Sequence, residues 1–128
     1  FKPWLKRNLT YSIGHIPAAL TMSQVQTSMR NAFNKWASHV DLSFTEVDAS
    51  TTADIETFFA FRDHGCGKSF DGPKGELAHS FFPQIGDIHF DEDEPWTVGG
   101  SSGTDFLSVC LHEIGHALGL RHSISALQ

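Results

Sequence analysis

The 128 residues make one ordinary domain, and a 40% apolar content with eleven Phe and three Trp can fill a core at that length. Nine Lys and Arg against fifteen Asp and Glu leave a net charge of −6, with the acids bunched at Asp87, Asp91, Glu92, Asp93 and Glu94, which argues against nucleic acid as a partner. No apolar run reaches the roughly 18 residues of a membrane span, and two cysteines, Cys66 and Cys110, are too few for a disulfide framework, whether or not they pair.

The chain opens on Phe1 instead of Met and is expected to be a processed or cut piece. No repeat, low-complexity tract or linker divides it, so residues 1–128 read as a single domain. Asn8 to Ile13 alternates as a strand and Pro17 closes it. Thr21 with Gln24 forms a capping box, and Val25, Met29, Ala32, Phe33 and Trp36 then recur at the spacing of one helix face. Strand-like runs follow at Leu42 to Val47, Ala53 to Phe61, Leu77 to Phe82 and Asp87 to Phe90, separated by Gly and Pro. After the turn-rich stretch from Gly99 to Gly103, Thr104 is the expected cap of a second helix running through Phe106, Val109, Cys110, Ile114 and Leu118 to Gly119. Helices packed on a sheet give an α+β class. The acidic run reads either as a solvated face or as a cluster whose repulsion a hard cation would relieve.

The segment H-E-I-G-H-A-L-G-L-R-H, from His112 to His122, carries the clearest chemistry. Residues four apart on a helix are about 40° apart around the axis and about 6 Å apart along it, so His112 and His116 can share one ion. A continuing helix would carry His122 about 120° round and about 9 Å further on, out of reach. The helix must therefore stop, and Gly119 stands where a left-handed residue would turn the chain back. Three imidazoles leave a fourth position open, the mark of a catalytic zinc. Glu113, next to His112, can take the proton of a water held there and hand it to a leaving amine. The whole run has the metzincin spacing H-E-x-x-H-x-x-G-x-x-H.

With F-D-G-P-K-G-E-L-A-H-S-F-F-P, G-D-I-H-F-D-E-D-E-P-W-T, N-L-T-Y-S-I and A-F-N-K-W-A, the chain resembles the matrixins, or matrix metalloproteinases, from Lys2 to His122. The resemblance implies a twisted, mostly parallel five-stranded sheet with one antiparallel edge strand packed on two helices, the family's final helix being absent. It implies two zinc ions, one catalytic and one structural, and two or three calcium ions. The structural zinc carries over onto His64, His79 and His89. The fourth ligand, usually Asp, is here Cys66, whose thiolate is a competent zinc ligand; a free buried Cys beside a three-histidine site is the other reading. One calcium site carries over onto the side chains of Asp71, Asp91 and Glu94 and the carbonyls of Gly72, Lys74 and Glu76. A second would use Asp54 and Asp87, with fewer donors because the loop between His79 and His89 is short. His15 and His39 match no motif, and Cys110 reads as a small buried thiol.

Past His122 the chain reads S-I-S-A-L-Q, without the family's Met turn, specificity wall or last helix, and no propeptide cysteine motif is present to keep the zinc masked. The expected function is a secreted, extracellular zinc endopeptidase acting on matrix-type proteins such as collagen. An extended substrate would pair antiparallel with the strand near Ala78 to Phe82, Ser108 would line its pocket, and protein inhibitors of metalloproteinases are a further partner class. The chain is expected to be a monomer. The alternative is a metal-stabilised module that binds zinc, calcium and peptides or inhibitors without efficient turnover, a reading that the shortened end favours.

Overall fold

A computed structural model of the chain describes Trp4 and residues 7–60, 78–81, 85–99 and 102–119. Strands β1 (Asn8–Ile13), β2 (Ser43–Val47), β3 (Ile55–Ala60), β4 (Ala78–Ser80) and β5 (Ile88–Asp91) form one sheet in the order β2-β1-β3-β5-β4. The β1·β2, β1·β3 and β3·β5 pairs are parallel, and edge strand β4 runs antiparallel to β5. This is the mostly parallel five-stranded sheet that the resemblance implies.

Helix α1 (Met22–Ala37) begins where the capping box put it: the Gln24 amide donates to Thr21 Oγ1 at 3.1 Å and the Thr21 amide donates to Gln24 Oε1 at 2.9 Å. Its expected stripe of Val25, Met29, Ala32, Phe33 and Trp36 is buried. Phe33 stacks on Tyr11 of β1, ring centres 4.2 Å apart, and meets Phe44 of β2 at 4.7 Å, so the stripe closes on the sheet as its flat, aromatic content requires. Further along, Trp36 reaches helix α2 (Phe106–Ala117) and donates from Nε1 to the Leu111 carbonyl at 2.8 Å.

Alternation along the strands sorts the sheet into two faces. Leu9, Tyr11 and Ile13 of β1, Ile55 and Phe59 of β3, and Ile88 and Phe90 of β5 are buried in the main core. Phe59, Phe90, Trp96 and Phe106 join in a ring cluster with centres 5.0 to 5.8 Å apart, which ties β3 and β5 to the start of α2. Phe58 and His89, a register pair, stack at 4.2 Å with the opposite parity.

Several boundaries differ from the sequence reading. The strand expected from Ala53 starts at Ile55, because Asp54 is tied to β1 through the Thr10 amide and hydroxyl at 2.9 and 3.2 Å. The strand expected from Leu42 begins at Ser43, and β5 runs one residue later than expected, from Ile88 to Asp91. Asp105, and not Thr104, caps α2: its carboxylate accepts from the Ser108 amide at 3.0 Å and hydroxyl at 2.6 Å. Thr104 instead pairs in a short, unexpected parallel ladder, β6 (Trp96–Thr97) with β7 (Thr104–Asp105), and its hydroxyl turns to Glu94 Oε1 at 3.3 Å.

Candidate active site and metal centres

Helix α2 carries His112, Glu113 and His116. One turn of helix separates the two histidines, and their Nε2 atoms lie 3.2 Å apart with ring centres at 4.7 Å. Two ligands about 2.05 Å from a tetrahedral zinc sit about 3.3 Å from each other, so the side chains stand at the spacing that one zinc ion requires. Without metal the same spacing lets one ring donate to the other. The helix then ends at Ala117. Gly119 has φ 101°, its amide donates to the His116 carbonyl at 2.8 Å, and a side chain at that φ would be strained. His122 lies outside the described residues.

Glu113 is 8% exposed, and its Oε1 accepts a hydrogen bond from Ser80 Oγ of β4 at 3.0 Å. Glu113 lines a cavity of about 310 Å³ together with Ala78, Ser108, Val109 and His112. The expected pocket role of Ser108 thus agrees with its position. Strand β4, at the outer edge of the sheet, runs beside this cavity where an extended peptide could add a further strand.

A second imidazole pair lies on the face of the sheet turned away from α1. His79 and His89 are register partners on β4 and β5, each 4% exposed, with His79 Nε2 and His89 Nδ1 3.1 Å apart. Phe58 stacks on His89, and Phe81 meets both rings edge-on at 5.5 and 5.9 Å, so aromatic walls hold the pair in place. This spacing too is that of two ligands on one zinc. His64 and Cys66, the remaining expected ligands, lie outside the described residues. Among the described residues, no three ligand-type side chains converge.

Of the expected calcium ligands, Asp91 is fully buried and Glu94 is 4% exposed. Asp91 Oδ1 accepts from the Asp93 amide at 3.0 Å, and the Trp96 indole donates to the Asp91 carbonyl at 2.7 Å. Two carboxylates buried three residues apart suit a hard cation, which offsets the cost of burying their charge. Asp71, Gly72, Lys74 and Glu76 lie outside the described residues. Of the second expected pair, Asp54 accepts from the Thr10 amide on β1 at 2.9 Å and Asp87 accepts from the Glu56 amide on β3 at 3.2 Å. Burial raises the Asp87 carboxyl above its ordinary value, with the Glu56 amide opposing.

Cys110 is fully buried in the core. Burial pushes its thiol well up, and the nearby Asp105 and Glu113 charges push it further, so it is the inert thiol expected. His39 is exposed, and His15 bonds to both Glu92 carboxylate oxygens at 3.0 Å, a surface polar role. Ser80 escaped the sequence reading. The signal that could have found it is parity: in A-H-S, with His79 turned to one face of the sheet, its neighbours must turn to the other.

Set against known proteins, residues 3–127 match the family model for matrixin. The chain is 48% identical over 126 residues to stromelysin-3 of Homo sapiens, covering 96% of this chain and 26% of that protein. It is 48% identical over 115 residues to the hatching enzyme of Paracentrotus lividus, covering 90% of this chain and 20% of that protein. With matrix metalloproteinase-2 of Drosophila melanogaster it shares 46% identity over 129 residues, covering 94% of this chain and 16% of that protein. The chain therefore spans about a quarter or less of the length of these relatives.

Proposed function

Because this chain belongs to the matrixin family, we propose that it is the metal-binding catalytic core of a secreted, extracellular zinc endopeptidase that cleaves matrix-type proteins. The observation that carries this reading is the pair of Nε2 atoms on His112 and His116, 3.2 Å apart, with Glu113 between them in sequence and beside a cavity along a sheet edge. His112, His116 and His122 hold the catalytic zinc, which when bound supplies Lewis-acid polarisation of the scissile carbonyl.

The residues of the chain do the rest. An extended substrate aligns antiparallel to β4 and places one side chain in the cavity walled by Ala78, Ser108 and Val109. Glu113 takes a proton from the attacking water and delivers it to the departing amine. His64, Cys66, His79 and His89 hold the structural zinc. Asp71, Asp91 and Glu94, with the carbonyls of Gly72, Lys74 and Glu76, hold calcium, and Asp54 and Asp87 contribute to a second calcium site. The protein acts as a monomer, and protein inhibitors of metalloproteinases bind the same cleft. No described helix is long and apolar enough to cross a membrane.

The test is cleavage of a fluorogenic collagen-like peptide by the zinc-loaded chain, with and without a chelator. Cleavage that the chelator abolishes and added zinc restores is expected. Peptide binding without chelator-sensitive cleavage would replace this reading with that of a binding module.

A further inference from the structure

Strand β4 is three residues long and contributes to two centres at once. His79 turns away from α2 to meet His89. Ala78 and Ser80, on the other parity, turn toward α2, where Ala78 lines the cavity and Ser80 Oγ donates to Glu113 Oε1 at 3.0 Å. A glutamate has three rotatable bonds, and a free carboxylate at the end of them samples many orientations. A donor fixed on a strand and hydrogen-bonded to one of the oxygens narrows that range of orientations.

Resting on the endopeptidase reading above, we propose that Ser80 is a positioning residue for the general base: its hydroxyl orients the Glu113 carboxylate toward the attacking water. Ser80 keeps its own proton throughout, and the proton that moves is the water's, carried by Glu113 alone. The strand that pairs with the substrate and the base that acts on it are thereby locked in register, since Ser80 belongs to the first and holds the second. Misplacement of a reacting group by about 1 Å can cost about 100-fold, so the loss of one such tether should be visible in kcat.

The test is a double-mutant cycle between Ser80 and Glu113, read by kinetics on the fluorogenic peptide and by thermal unfolding. Ser80→Ala is expected to lower kcat about tenfold with KM within about twofold and the zinc content unchanged. Ser80→Thr, which keeps a hydroxyl on a β-branched strand residue, should restore most of the rate. In thermal unfolding, Ser80→Ala should lower Tm by about 2 to 4 °C when Glu113 is present and by nothing when Glu113 is already Ala. An unchanged kcat in Ser80→Ala, an equal Tm loss in both backgrounds, zinc lost with the hydroxyl, or no rescue by Thr would each overturn the proposal. If the parent chain shows no chelator-sensitive cleavage, the endopeptidase reading fails by itself, and the thermal cycle still decides whether Ser80 holds Glu113.

Discussion

His112 and Glu113 are neighbours in sequence, but a step of about 100° around the helix separates them, so the imidazoles of His112 and His116 share one side while the carboxylate meets Ser80 on β4. That separation of ligand from base yields a prediction: Glu113→Ala should retain zinc while turnover falls by roughly 100- to 10,000-fold, the range a placed general base supplies. Metal analysis run beside the kinetics checks it, and zinc lost together with activity would make Glu113 a support for the site instead of its base. The two thiols should also separate. Cys110, buried and with its thiol pushed up, should resist alkylation in the folded protein whether or not zinc is present. Cys66, as a ligand, should be shielded by zinc and label quickly once a chelator removes it; equal labelling of Cys66 in both states would take it off the ligand list. The histidines of α2 were legible because a helix converts sequence spacing into position. For Ser80, parity gives only the side opposite His79; that α2 packs on that side is decided by tertiary contacts.

At the scale of elements, the approach of α1 to α2 depends on a bare backbone at Gly115, inside the zinc-binding run. A Cβ there would lie 2.8 Å from Cζ2 of Trp36, a ring pinned by its hydrogen bond to the Leu111 carbonyl. Gly115→Ala should therefore destabilise the fold by about 1 to 3 kcal/mol and, by shifting the helix that carries His116, weaken zinc binding too. Thermal unfolding with zinc titration measures both, and a variant as stable and as tight as the parent would show that Trp36 gives way freely. The helices were largely readable: the capping box fixed the start of α1, its apolar stripe is the buried face, and Gly119 ends α2 at φ 101°. The misplaced features have tertiary causes. Thr104 has the right chemistry for a cap, but Pro95 and Glu94 engage it, leaving Asp105 to receive the Ser108 amide. The β6·β7 ladder joins pairs of residues too short to leave a periodic trace.

Over the whole molecule, the sheet divides the chemistry: α2 and its cavity belong to one face, and the His79–His89 pair with its aromatic walls to the other. Both centres meet at β4, so the structural metals should govern the stability of the strand that borders the active site. Calcium on the buried Asp91 and Glu94, as proposed, would stabilise the fold, since a ligand bound only by the folded state adds about 2.7 kcal/mol at a hundredfold excess over its Kd. A calcium-selective chelator should lower Tm, and an unchanged unfolding curve would leave the acidic corner without a cation. His112, His116 and His122 are proposed to hold a catalytic zinc distinct from the one on His79 and His89. Zinc content per chain after exhaustive dialysis tests it most directly, in the parent and in His116→Ala. Two zinc ions in the parent and one in the variant, with cleavage lost, is the predicted result; the same zinc content in both chains, or none in the parent, would contradict it.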